Sequence, residues 1–341
     1  MTERSKEIKK ARELKPGEKV TSFFVVRKKE LKTKADGTPY LLLGLGDDTG
    51  RITATLWDDA KSVYETIGVG DIVKVRGTVM TYRDALQLSV EKIRKSEPSD
   101  HVDAKNFIPQ GEIDRDALMI RVNETIASIQ SPPLKRLLQH VFVDSQWIER
   151  FNEAPGGKLW HHAYIGGLLE HTLAVVQICE TMARLYPKAD RDLLITGALL
   201  HDIGKIEEYR YDQGFIEYTD EGRLWGHISI GAQRIRTTIE EIEKTEDAFP
   251  QELKKQILHL ILSHQGKLEH GSPVLPATLE AIILYYADEM DSKANAVQHI
   301  VERDSEPGRR WSQYINLLER FIYLKNSGCA EEENPPPFQE D

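Results

Sequence analysis

Leu199-Leu200-His201-Asp202-Ile203-Gly204-Lys205 (LLHDIGK) closes a helix-like run, DRDLLITGALLHDIGK, in which nearly every other residue is apolar or small. An imidazole and a carboxylate stand side by side where the pattern asks for core residues. Burying either one unpaired costs several kcal/mol or forces it to neutralise. Something elsewhere in the chain must therefore compensate the pair.

Four further residues of the same chemical type lie in other helix-like stretches. They are His171 in GGLLEHTLAVVQIC, His227 in WGHISIGAQRI, His264 in ILHLILSHQG and Asp288 in AIILYYADEMDSK. Helical spacing aligns His171 with Leu168, Val175 and Ile178, His264 with Ile257, Leu260 and Ile261, and Asp288 with Ala281, Leu284 and Tyr285. Any one of them alone reads best as a hydrogen-bonded core residue. Four histidines and two aspartates aimed at one helical core are hard to satisfy that way, whereas divalent cations satisfy them together.

The chain of 341 residues suits two domains, and its 40% hydrophobic and 29% charged residues are those of an ordinary globular protein. Its basic N-terminal segment lacks a signal-peptide pattern, no run is apolar enough to span a bilayer, and the two cysteines, Cys179 and Cys329, have no metal-like spacing. These features give the expectation of a cytoplasmic protein with no membrane partner. Net charge is −10 overall but uneven: residues 1–98 carry +5 and the remainder −15, a mild pointer to a polyanion bound by the front of the chain.

Residues 1–98 read as five short strands with a helical stretch after the third, the layout of an OB-fold, a small Greek-key barrel that often binds single-stranded nucleic acid. In RITATLW, Ile52, Ala54 and Leu56 alternate with Arg51, Thr53, Thr55 and Trp57. Arg51 and Trp57 would thus share a face as cation and stacking aromatic, with Tyr82 as a second aromatic; alternatively Trp57 caps the barrel core. Residues 99–113 form the expected linker, residues 114–325 an all-helical domain with its last helix near 308–325, and the acidic, Pro-rich residues 326–341 a disordered tail.

The order His…His-Asp…His…His…Asp resembles the HD superfamily of metal-dependent phosphohydrolases, an all-helical fold. The fuller strings HHAYIGGLLEHT, LLHDIGK and SHQGKLEHGSP, behind an OB-like domain, resemble the YhaM family of 3′→5′ exoribonucleases. The resemblance implies one metal on His171, His201, Asp202 and Asp288, and a second sharing Asp202 and adding His227 and His264. Two-metal members usually have another histidine after the one matching His264; here it is Gln265. The implied cofactor is one or two divalent ions, Mn²⁺ foremost, and the implied substrate single-stranded RNA, or single-stranded DNA. Lys205, after a Gly204 read as a helix terminus, either holds a phosphate oxygen or is a solvated lysine. His161 and His162 are implied substrate contacts, His162 as an acid for the leaving oxygen. Gly166-Gly167 gives the His171 helix a close approach to a neighbour. Two rivals stand beside this reading: a phosphohydrolase of small nucleotides or cyclic dinucleotides, and a nucleic-acid-binding protein with a structural metal. An oligomer is compatible with any of them.

Overall fold

Alternating β-branched and aromatic residues build the first half of the chain, described here from a computed structural model. The structure describes residues 9–324 apart from 84, 112, 143–144, 159–161, 246–247 and 306–307. Strands β1 (Lys19–Thr33), β2 (Pro39–Gly46) and β3 (Arg51–Leu56) are followed by helix α1 (Ala60–Thr66), then β4 (Ile72–Tyr82) and β5 (Ala85–Lys95). They close a barrel in the order β1-β2-β3-β5-β4, with only the β3–β5 pair parallel. Side chains alternate in and out along each strand. Phe24, Val26, Leu41, Leu43, Ala54, Val75 and Leu88 fill the interior. This is the OB-fold expected, helix included.

The segment expected as a linker does not hang free. It forms a short 3₁₀ turn over Ala104–Phe107, and Phe107 packs with Phe23, Val25 and Phe215, joining the barrel to the helical half.

The second half is mostly helical: α2 (Arg115–Ser128), α3 (Pro132–Val141), α4 (Ser145–Glu153), α5 (Gly167–Leu185), α6 (Arg191–Leu200), α7 (Lys205–Glu208), α8 (Asp220–Thr245), α9 (Gln251–Ser263) and α10 (Leu279–Asp304). A two-stranded ribbon, β6 (Tyr209–Arg210) with β7 (Glu217–Tyr218), interrupts an otherwise helical unit. Helix α6 is apolar all round and buried from Asp192 to Leu200, as a central helix must be. Each fully buried Leu or Ile contributes about 1.5–3 kcal/mol, so the apolar collar offsets the polar groups at the helix end. Asp190 caps its start, accepting from the Leu193 amide at 3.0 Å.

Residues 308–324 are not the last helix expected from the pattern. Isolated bridges pair Trp311 with Tyr323 and Ile315 with Arg320, and Glu319 turns the chain at φ 53°. Trp311 packs on Tyr323 at 5.3 Å and Tyr314 on Phe321 at 5.2 Å. Cross-strand aromatic pairs outweigh the helical period there. The tail from residue 325 lies outside the described residues.

Candidate metal centre and strand-binding face

Asp202, one residue past the His201 cap of α6, is where five helices converge. Its Oδ2 lies 3.3 Å from His171 Nε2 on α5 and 3.4 Å from His201 Nε2. Its Oδ1 lies 3.4 Å from His227 Nε2 on α8 and 3.5 Å from His264 Nε2 just past α9. Asp288 on α10 completes the set, its Oδ1 3.2 Å from His171 Nε2. All six lie in one cluster, and only His227 is more than marginally accessible, so the cluster opens on its side.

Two glycines bring His227 in. Gly226 takes φ 70°, ψ 156°, breaking α8 so that His227 starts a new helical segment. Gly204 has ordinary helical angles, φ −68°, and begins α7, so it is no helix terminus of the left-handed kind. A Cβ on Gly204 would sit 2.0 Å from the His227 carbonyl oxygen: close approach is what demands glycine. Gly167 is similar, crossing within 2.0 Å of the His162 carbonyl oxygen by the same measure; the neighbour it admits is a loop.

The outer nitrogens decide what the inner ones can do. His201 Nδ1 lies 2.8 Å from the Ala198 carbonyl and His264 Nδ1 2.7 Å from the Ile261 carbonyl. A carbonyl only accepts, so each Nδ1 carries a proton, and the neutral form of each ring turns a bare Nε2 lone pair inward. His171 Nδ1 meets Asp291 Oδ2 at 2.6 Å and His227 Nδ1 meets Glu208 Oε1 at 3.0 Å, so carboxylates hold the other two rings. At His201 and His264 the inner nitrogens thus face Asp202 oxygens with no hydrogen between them. Among the described residues, Asp202 Oδ1 and His227 Nε2 are buried without a hydrogen-bond partner. Donors held about 2.0–2.2 Å from one cation stand about 3–3.5 Å apart, the spacing found here. The residues fit divalent cations.

Ionisation in the cation's absence agrees. Burial opposes charge on His171, but Asp202, Asp288 and Asp291 outweigh it and hold the imidazolium well above its ordinary 6.5. Burial likewise disfavours the Asp202 carboxylate, and Lys205, His201 and His171 overcome it, so its pKa stays well below the usual range. Burial pushes His264 down, leaving it neutral.

Lys205 is neither solvated nor open. Its buried ammonium lies 2.6 Å from Asp202 Oδ2 and donates to the Gly156 carbonyl at 2.7 Å. Asp202 opposes its burial and keeps it charged. His162 is buried at φ 49°, its Nδ1 2.8 Å from the Tyr164 hydroxyl and its Nε2 2.9 Å from Asp291 Oδ2. It reaches the ligand His171 through Asp291. His161 lies outside the described residues. Asp291 and Glu208 were missed; Asp291 follows Asp288 by one helical step of three, a signal available in the sequence, whereas Glu208 is assigned only by tertiary contact. Gln265 Nε2 lies 3.3 Å from His264 Nε2, so its amide borders the cluster.

On the barrel, Trp57 is exposed and does not cap the core. It packs against Tyr40 at 5.0 Å with Lys34 4.8 Å above its ring. Trp57, Tyr40, Tyr82, Arg83, Met80 and Gln87 line one groove of about 600 Å³. Arg51 is not among its lining residues. It begins β3, about 20 Å from Trp57 at roughly 3.3 Å per residue, and Lys34 supplies the cation in its place.

Comparison with known proteins follows the same division. Residues 168–293 match the family model described as HD domain, and residues 25–95 the one described as OB-fold nucleic acid binding domain. The chain is 34% identical over 307 residues to the 3′-5′ exoribonuclease YhaM of Bacillus licheniformis, covering 90% of this chain and 95% of that protein. Among solved structures, the second OB-fold domain of replication protein A from Methanococcus maripaludis is 34% identical over 26% of this chain and 94% of its own, with a TM-score of 0.23. The mitochondrial single-stranded DNA binding protein Rim1 of S. cerevisiae is 15% identical over 24% of this chain and 97% of its own, with a TM-score of 0.21. No helix among the described residues is long and apolar enough to cross a membrane.

Proposed function

Because the chain belongs to the YhaM family of 3′-5′ exoribonucleases, we propose that it shortens single-stranded RNA from the 3′ end by metal-dependent hydrolysis at the Asp202 cluster. The observation that carries this is the convergence of four imidazole nitrogens on the buried Asp202 carboxylate. His171, His201, Asp202 and Asp288 would hold one divalent cation, and Asp202, His227 and His264 would hold a second. Lewis acidity is what such ions supply, polarising a phosphate and lowering the pKa of a water. Manganese suits a mixed imidazole and carboxylate set.

The protein's own groups do the rest. Lys205 fixes Asp202 by charge and is itself fixed by Gly156, so the shared carboxylate does not rotate. Asp291 and Glu208 orient His171 and His227. His162, through Asp291, is a positioning residue in this geometry, with proton delivery to the leaving oxygen reserved for a strand-bound state. Gln265 offers an amide where the family has an imidazole, which weakens the second site. Trp57, Tyr40 and Tyr82 stack bases in the barrel groove, so that residues 1–98 act as the grip, residues 99–113 as the connection and residues 114–325 as the hydrolase. His161 belongs with the strand contacts near the reacting end, and a reducing cytoplasm is the compartment.

A 5′-labelled 20-nucleotide RNA tests the reading. With Mn²⁺ it should shorten stepwise from its 3′ end, chelation should stop it, and restored Mn²⁺ should restart it. Hydrolysis of a cyclic dinucleotide or a nucleoside triphosphate in preference to the RNA would overturn it.

A further inference from the structure

Three cations gather where the barrel meets the helical half, away from both the aromatic groove and the metal cluster. Arg27 occupies an irregularity in β1: Val26 pairs with Leu45 and Lys28 with Gly44, so Arg27 is the extra residue of a bulge. Bulges re-aim side chains, and this one lays Arg27 across Gly46, where a Cβ would sit 2.4 Å from its Nε. Gly46 in turn pairs with Arg51 on β3, so the two guanidiniums are neighbours across three strands. With Lys158, Pro109, Ala163, Phe215, Ile216 and Glu217 they line a cavity of about 400 Å³.

The positive charge there is under-compensated. Among the described residues Arg27 donates only to carbonyls, Asp47 O at 3.0 Å and Phe107 O at 3.5 Å, and its Nε is buried with no partner there. Burial and then the nearby Arg51 push its guanidinium down to about 10, against Asp47. The Asp47 carboxylate is engaged elsewhere, accepting from Ala11 N, Thr49 N, Thr49 Oγ1 and Gly50 N. Glu217 is shared between Lys158 at 2.6 Å and Arg223 at 2.8 Å. The lining groups therefore carry three positive charges against one negative.

We propose that this seam is a phosphodiester subsite: Arg27 and Arg51 hold a backbone phosphate of the RNA between the barrel groove and the metal centre, with Phe215 and Ile216 as the apolar wall beneath the nucleotide. The position carries the choice of a strand over a free nucleotide. β3 leads from Arg51 at the seam to Trp57 at the groove. On the other side Glu217 bonds Arg223, which stands on α8 four residues before His227, the accessible member of the metal cluster. A chain running from stacking groove to reacting end passes the seam. The inference rests on the exoribonuclease reading above and adds to it where the strand is held between its two ends.

Binding by full-length, Mn²⁺-loaded protein tests it, with a fluorescent 16-nucleotide RNA whose 3′ linkages are phosphorothioates, so that it is not consumed. The exposed Arg51→Gln should weaken binding about tenfold, as losing a charge-assisted hydrogen bond does. It should also lower the slope of log affinity against log salt by about 0.7, the share of one single-strand phosphate. Arg27→Lys keeps the charge and loses the fork, so affinity should fall a few-fold with the slope intact. Trp57→Ala should lower affinity without changing the slope. Wild-type protein that binds no RNA would overturn the exoribonuclease reading itself. Wild-type and Trp57→Ala behaving as stated, with Arg51→Gln unchanged in affinity and slope, would overturn the seam alone. Uridine monophosphate binding as tightly as the strand, in an Arg51-dependent way, would also overturn it by making the pocket a free-nucleotide site.

Discussion

The barrel and the helical domain place their polar chemistry on opposite sides of their cores. The barrel fills its core with apolar side chains and presents Trp57, Tyr40 and Tyr82 outward, so its groove costs the fold little. The helical domain turns His171, His201, Asp202, His264 and Asp288 inward, all buried, and among the described residues leaves Asp202 Oδ1 without a hydrogen bond. A grip for a flexible strand works on a surface, where stacking is exposed and tolerant of sequence. Hydrolysis needs donors fixed in a dry site, at a cost in stability that a bound cation offsets. The two regions should therefore fail differently when altered.

Among changes that spare the ligands themselves, the largest separation is expected from their outer partners. Glu208→Gln and Asp291→Asn remove carboxylates that orient His227 and His171, and such changes cost about 10–100-fold in metal affinity or activity. Calorimetric Mn²⁺ titration should show that loss while RNA binding in the barrel groove is retained. Equal losses in both would erase the distinction between the regions.

A pH series sharpens it further. In the metal-free site His171 is held protonated well above 6.5, and a cation must displace that proton. Below the raised pKa, metal affinity should rise about tenfold per pH unit, and above it level off. The sign for folding is the reverse. The raised pKa contributes stability that is present below the ordinary histidine range and lost as pH climbs through the folded value. The metal-induced rise in Tm should therefore grow with pH, as differential scanning fluorimetry with and without Mn²⁺ would read; a shift independent of pH would remove His171 as the displaced group.

A smaller effect is expected on the barrel side. Trp57→Ala removes one stacking platform, worth about 1–3 kcal/mol per base, so KM for a long strand should rise about tenfold, toward the lower end of that range. The rate at saturation should hold. A fall in kcat with KM unchanged would mean that the groove serves catalysis rather than grip.

What the sequence disclosed follows the same division. Polar residues at core positions of helical runs are conspicuous, which is why all six cluster residues were legible from LLHDIGK outward. Strand alternation and turn residues gave the barrel and its order. Position along a strand is a different matter: Arg51 and Trp57 share a face by alternation, yet stand at opposite ends, and only the assembled barrel sends one to the seam and the other to the groove. Lys34 reaches Trp57 through tertiary contact between β1 and the end of β3, which no local pattern records. Gly204 looked like a helix end because LLHDIGK is local, whereas its reason is the His227 backbone more than twenty residues on. Residues 308–324 carry apolar spacing compatible with a helix, and pairing of Trp311 with Tyr323 decides against it.

The central claim is that grip and hydrolysis are separable functions meeting at Asp202. The direct test is Asp202→Ala in the full-length protein, with Mn²⁺ and a 5′-labelled 20-nucleotide RNA, followed in parallel for strand binding and for 3′-end shortening. The account predicts that shortening falls about 10³-fold or more, since both cations lose their shared ligand, while binding stays within a few-fold of wild type. A variant that still shortens the RNA at more than a few per cent of the wild-type rate, or that no longer binds it although circular dichroism shows it folded, would contradict the account.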